Sequence, residues 1–165
     1  MKQRKRKLFT ELVKHSEYQE FTIIVGARQT GKTTLLNQIE AYLKEKEDNV
    51  HFISMEDPDI LNLLNKHPEN LFKLIRLNDT RKTYVLCDEI QYLENPSNFL
   101  KLLYDKYAKQ LKIIATGSSA FYINAKFTDS LAGRKRIFTL YTLSFDEYLH
   151  FQYKDELIDE WKQLR

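Results

Sequence analysis

Short apolar runs alternate along the chain with longer stretches in which apolar residues return at helical spacing. The runs at 21–26, 49–55, 83–88, 111–116 and 136–141 predict strands. Between the first two, 33–46 carries Leu35, Leu36, Ile39 and Leu43 on one helical face, and the charged run from Lys44 to Asp48 ends that helix in solvent. Asp57-Pro58 and Asn95-Pro96 each read as a cap followed by proline at the first helical position. The second of these launches a face of Phe99, Leu100, Leu103, Tyr104 and Tyr107. Ser144-Phe145-Asp146-Glu147 is a capping box. Beyond Tyr153 an amphipathic helix carries Leu157, Ile158, Trp161 and Leu164, to pack on this domain or on something further along. Strands alternating with helices predict an α/β domain around a mostly parallel five-stranded sheet.

The 165 residues suffice for one such domain, with helices on both faces of the sheet. Apolar residues make up 42% and aromatics 13%, which excludes a disordered chain. The net charge of +3 owes much to Lys2, Arg4, Lys5, Arg6 and Lys7, so no broad nucleic-acid signature remains elsewhere. That basic start reads either as an arm for nucleic acid or acidic lipid, or as a solvated lead into a helix. No signal-like or membrane-length apolar run occurs, and a soluble cytoplasmic protein is expected. The single cysteine, Cys87, sits in an apolar strand and predicts no redox role. His15, His51, His67 and His150 are scattered without zinc-ligand spacing.

Chemistry concentrates where the first strand ends. Gly26-Ala27-Arg28-Gln29-Thr30-Gly31-Lys32-Thr33-Thr34 is a G-x-x-x-x-G-K-T phosphate loop between a strand and a helix. Its glycines let backbone N–H groups turn toward an anion, and the helix N-terminus adds positive potential. Lys32 is placed for the β- and γ-phosphates and Thr33 for Mg²⁺, so a Mg²⁺–nucleoside triphosphate is the expected ligand. Thr83-Tyr84-Val85-Leu86-Cys87-Asp88-Glu89 is an apolar strand ending in two acids. In it Asp88 serves the Mg²⁺ shell and Glu89 the attacking water.

No guanine-reading Asn-Lys-x-Asp follows, since Asn65-Lys66-His67-Pro68 lacks the acid, and this favours ATP. The strand at 111–116 runs into Thr116-Gly117-Ser118-Ser119, where Thr116 or Ser118 is the candidate γ-phosphate sensor. Hydroxyls at a strand end are also ordinary turn formers. Arg134, after Gly133, stands either as a catalytic arginine, in its own subunit or a neighbour's, or as part of a solvated basic turn with Lys135 and Arg136.

With these motifs the chain resembles the AAA+ superfamily of P-loop ATPases. It is similar to a prokaryotic branch marked by the phosphate loop above, Leu86-Cys87-Asp88-Glu89-Ile90-Gln91, Thr116-Gly117-Ser118-Ser119, Ser130-Leu131-Ala132-Gly133-Arg134 and Leu143-Ser144-Phe145-Asp146-Glu147-Tyr148. Cys87 and Thr142 depart from that pattern, Thr142 standing where the branch has proline. The resemblance implies a three-layer α/β/α P-loop fold with ATP and Mg²⁺ as ligands, and a homo-oligomer or an unidentified protein partner. Gln91 would help position the acid pair. Residues 1–20 form a basic N-terminal helix or arm, 21–150 the ATPase core, and 151–165 a helix leading toward a second domain. Without that domain or a lid, weak hydrolysis is expected. Either ATP turnover drives a partner, or the chain is a nucleotide-dependent interaction or DNA-associated module with little turnover.

Overall fold

The computed structural model describes residues 4–46, 48–119 and 131–163. Ser130 of the predicted turn, Lys2 and Leu164 lie outside them. The apolar runs form strands β1 (Phe21–Gly26), β2 (Asn49–Ser54), β3 (Thr83–Asp88), β4 (Leu111–Ser118) and β5 (Lys135–Thr139). Every pairing is parallel, and the order across the sheet is β2-β3-β4-β1-β5. The strand of Thr116 therefore lies between the strand that feeds the phosphate loop and the strand that carries the acids. The fifth strand is shorter than the apolar pattern implies. At Leu140 the chain leaves the ladder, although its N–H still donates to Val25 O at 2.7 Å.

Six helices flank the sheet among the described residues: α1 (Leu8–Ser16), α2 (Lys32–Glu45), α3 (Pro58–Lys66), α4 (Pro96–Tyr107), α5 (Phe145–Phe151) and α6 (Glu156–Gln163). Short 3₁₀ turns occupy Pro68–Lys73 and Ile90–Tyr92. Alternation along each strand sorts the core into two layers. Phe21, Ile23, Val25, Val85, Cys87, Leu111, Ile113 and Ala115 face α3, α4 and the first 3₁₀ turn, through Leu64, Phe99, Leu100, Leu103 and Leu71. Ile24, Tyr84, Leu86 and Ile114 face α1 and α2, through Phe9, Leu12, Leu35, Leu36, Ile39 and Leu43. Truncating one of these leucines to alanine costs about 2–5 kcal/mol, and the double layer fixes which end of each strand meets the loops.

The caps form as the sequence implies. Asp57 accepts from the N–H groups of Asp59 and Ile60 at 2.9 and 3.2 Å, and Asn95 from that of Asn98 at 3.0 Å. The capping box closes α5, with Glu147 Oε2 accepting from Ser144 N–H at 3.2 Å. Of the C-terminal apolar face, Trp161 meets Phe145 edge-on at 4.7 Å, so α6 packs on α5.

Two polar side chains enter the layer under α1. Lys112, fully buried on β4, donates to His15 O and Tyr18 O at 2.9 and 3.1 Å and also to Glu20 O. His15 O also accepts the Tyr18 N–H at 3.1 Å, so Lys112 ties together the end of α1 and the turn that leads into β1. Burial pushes its ammonium down to about 7. His15 pairs its Nδ1 with Thr22 Oγ1 at 2.8 Å. Burial first, then the charges of Lys112 and Arg136, hold its imidazole down at about 4.

The basic start is solvated only in part: Lys5 and Lys7 are exposed, while Arg4 and Arg6 are half-buried. Arg6 pairs with Glu147 at 2.9 Å, Arg4 with Asp155 at 2.7 Å, and Lys7 with Asp146. Burial works against the Glu147 carboxylate, but Arg6 and the N–H groups of Lys7 and Ser144 outweigh it and hold it below the usual range. Opposite charges separated by most of the chain draw Arg6 and Lys7 onto α5 and Arg4 onto Asp155 just after it.

Candidate functional site

The phosphate loop occupies the carboxyl end of β1, where a parallel sheet binds its ligands. Gly26 is required by space: a Cβ there would lie 2.5 Å from Leu140 O and 2.9 Å from Thr30 Oγ1. Gly31 is required by conformation, with φ 90°, and Gln29 shares the left-handed region at φ 64°. Such alternation turns successive N–H groups into one concavity suited to an anion. Thr30 Oγ1 donates to Ala27 O at 2.9 Å, and Lys32 Nζ donates to Gly26 O and Ala27 O at 3.1 and 3.0 Å. The ammonium is thus held inside the loop, 4.0 Å from Glu89 Oε1.

Beneath the loop runs a connected polar chain. Thr33 Oγ1 donates to Asp88 Oδ2 at 2.8 Å, and Thr116 Oγ1 donates to Asp88 Oδ1. Thr116 Oγ1 also accepts the Glu89 N–H at 2.9 Å, which anchors a non-glycine residue in the left-handed region at φ 55°. Gln91 Nε2 donates to Glu89 Oε2, and Gln91 Oε1 accepts the Ser118 N–H at 3.3 Å. Of the two candidate hydroxyls, Thr116 engages both acids, while Ser118 meets Gln91 through its backbone. Burial pushes the neighbouring Cys87 thiol up to about 12, which keeps it protonated and inert.

Lys32, Thr33, Glu89, Gln91 and Ser118 line a groove of 1090 Å³ with Ala27, Arg28, Gln29, Gly31 and Thr34, and Asp88 and Thr116 lie behind them. Glu56 after β2 and Tyr92 also face it, and neither carries a motif that sequence reasoning singles out. Thr33 and Asp88 present adjacent oxygens, which suits Mg²⁺ bound mainly by phosphate and water. Among the described residues no cluster of three or more His, Cys, Asp or Glu side chains forms an all-protein metal cage.

A second cleft, of 480 Å³, adjoins the groove across the loop and shares Gln29, Gly31 and Thr34 with it. Its apolar lining comes from Leu35, Leu143, Phe151 and Tyr153. Arg4 and Arg6 close one side, and Arg6 donates to Thr30 O at 2.9 Å and Tyr141 O at 2.8 Å. The basic start thereby reaches the phosphate loop, a role that charge composition alone did not reveal.

Arg134 is not brought to this site. Its carbonyl accepts from Phe21 N–H at 2.9 Å, which sets it level with the start of β1. The loop lies at the other end of that six-residue strand, roughly 16 Å away. There its guanidinium pairs with Asp105 at 2.6 Å, so it does not complete the site of its own chain.

A parallel sheet with a phosphate loop at its carboxyl edge, and a further strand between the loop strand and the acid strand, is the three-layer P-loop NTPase fold. Within that class, residues 18–149 match the model of the AAA domain family, and the chain belongs to it. An uncharacterised protein of Methanocaldococcus jannaschii is 34% identical over 146 residues, covering 82% of this chain and 28% of that protein. One of Haemophilus influenzae is 27% identical over 146 residues, covering 85% of this chain and 36% of that protein. The chain thus spans about a third of the length of these relatives. DnaA from Aquifex aeolicus with AMPPCP bound superposes with a TM-score of 0.57 at 15% identity, over 93% of this chain and 49% of that one. No helix among the described residues is long and apolar enough to cross a membrane.

Proposed function

We propose that the chain binds Mg²⁺-ATP across the phosphate loop and hydrolyses it with Glu89 as the group that orients water. The observation that carries this reading is the hydrogen-bonded chain Thr33–Asp88–Thr116–Glu89 directly beneath Lys32. The loop amides and Lys32 would hold the phosphates, and Thr33 and Asp88 the Mg²⁺, whose charge offsets that of the triphosphate. Thr116 acts by fixing both acids. Arg28, exposed on the loop and lining the groove, takes the place that Arg134 does not fill. Because the groove and the apolar cleft share Gln29, Gly31 and Thr34, a triphosphate end beside Glu89 leaves the base in the cleft. The AMPPCP bound to the similarly folded DnaA supports a nucleotide in this class of site.

Glu89→Gln tests the reading. It should retain ATP binding and lower phosphate release at least tenfold; unchanged release would remove Glu89 as the base. A second reading, a nucleotide-switched interaction module, is favoured by an exposed apolar strip beside the cleft. Tyr141 is 73% and Phe145 50% exposed there, and Leu143 both belongs to the strip and lines the cleft. ATP binding with negligible turnover in the wild type would select that reading. DNA binding through the basic start has less support, because Arg4, Arg6 and Lys7 are already paired with acids. Salt-sensitive DNA binding that is lost on deleting residues 1–7 would restore it.

A further inference from the structure

We infer that Gln38 reads the base of the bound nucleotide and selects a 6-aminopurine over a 6-oxopurine; this rests on the nucleotide reading above. Gln38 lies on α2, on the same helix as Lys32 and Thr33, and its side chain lines the apolar cleft beside Thr34 and Leu35. It is 7% exposed. Its Nε2 donates to Arg4 O at 2.9 Å, and a carbonyl only accepts, so the amide nitrogen must face Arg4. That contact leaves Oε1 as the other end of the amide. Oε1 is buried and has no hydrogen-bond partner among the described residues.

A buried acceptor without a donor is unfavourable and rare enough to demand an explanation. The cleft states the chemistry of the donor that would complete it: a flat apolar ring with an N–H on its edge, packed among Leu35, Leu143, Phe151 and Tyr153. The 6-amino group of adenine supplies that N–H. Guanine and hypoxanthine present a carbonyl oxygen at the same position, which would set acceptor against acceptor. Gln38 cannot relieve this by turning its amide over without giving up the bond to Arg4 O. Rejection therefore comes from an unpaired polar group as well as from the missing bond, the pattern that gives hydrogen-bonding sites their selectivity.

The experiment is calorimetric titration of the protein with ATP, ITP and purine riboside triphosphate in Mg²⁺, with tripolyphosphate as the base-free probe. These triphosphates share ribose and phosphates and differ on the six-membered edge of the base: position 6 carries an amino group, an oxygen or hydrogen, and N1 carries a proton in ITP alone. ATP should bind about tenfold more tightly than ITP, with the unsubstituted purine between them. In Gln38→Leu the ratio of ATP to ITP affinity should fall to about one or two. Should that variant fail to fold, the wild-type series still decides. Equal affinities for all three nucleotides, lost together in Lys32→Ala, would overturn the role of Gln38 and leave the nucleotide reading standing. A ratio that survives Gln38→Leu would do the same. No binding of any triphosphate or of tripolyphosphate would overturn both.

Discussion

Replacing Thr116 with valine tests whether one hydroxyl holds the acid pair in place. Thr116 is fully buried on β4, and valine keeps its branched shape and strand preference, so the change is confined to one oxygen. That oxygen accepts the Glu89 N–H at 2.9 Å and donates to the Asp88 carboxylate. Removing it leaves a partly buried N–H without a partner, at about 1–3 kcal/mol, and takes from Asp88 a charge-assisted bond of about 1.5–3 kcal/mol. Thr33 still donates to Asp88 Oδ2, so part of the second loss is recovered by local adjustment. A net destabilisation of about 2–4 kcal/mol is expected from these two terms together. Urea unfolding followed by far-ultraviolet circular dichroism measures it. Thr116→Ser, which restores the oxygen but removes a methyl, should lose only about 1 kcal/mol. Phosphate release should fall at least tenfold in the valine variant, because Glu89 loses the bond that fixes its left-handed backbone. A valine variant within about 0.5 kcal/mol of wild type with full turnover would refute the reasoning, since Thr116 would then support neither acid.

Other consequences follow from the same contacts. Gly26→Ala should destabilise by about 1–3 kcal/mol in urea unfolding and weaken ATP binding, because its Cβ would press on the Leu140 carbonyl. Arg134→Ala should leave turnover within about twofold at low protein concentration and leave the urea midpoint close to that of the wild type, as expected for an exposed ion pair with Asp105. A loss of turnover that grows with protein concentration would instead put Arg134 in a neighbour's site. His15 makes stability depend on pH in a defined direction. Unfolded, it takes up a proton as the pH falls through about 6.5, whereas folded it resists until about 4. Its contribution, up to about 3 kcal/mol, is therefore complete above pH 6.5 and declines between 6.5 and 4. The difference between wild type and His15→Asn in urea midpoints at pH 7.5 and pH 4.5 isolates it from the carboxylates, and parallel midpoints would refute it.

The features legible in the sequence are those set by local rules. Asp57-Pro58 and Asn95-Pro96 fix helix starts by chemistry within three residues, and the apolar runs of β1, β3 and β4 fix strands whose two faces are both covered. The loop and the Asp88-Glu89 pair are local signatures too, and in a parallel sheet both follow a strand and so reach the same edge. That rule also sorts the readings open for Arg134, of which the geometry disfavours only the one in its own chain's site. A residue that immediately precedes a parallel strand lies at the opposite edge from one that follows a strand, whatever glycine turn accompanies it. Chain direction alone sets it apart from the site of its own chain.

Arg4, Arg6 and Gln38 were hidden for a different reason. Their partners are distant in sequence: Glu147 and Asp155 for the arginines, and the Arg4 carbonyl for Gln38. No periodicity or motif links such positions. Yet the link is continuous in space, since Arg6 joins the capping-box acid of α5 to the Thr30 carbonyl of the phosphate loop. Arg4 meanwhile holds both the Gln38 amide and the acid at Asp155. The ion pairs that fasten Arg6 to α5 and Arg4 to Asp155 therefore also shape the cleft beside the loop. Of the charge at the start of the chain, open from composition to an arm or to a solvated lead, Arg4 and Arg6 are turned inward and form one wall of the cleft beside the phosphate loop.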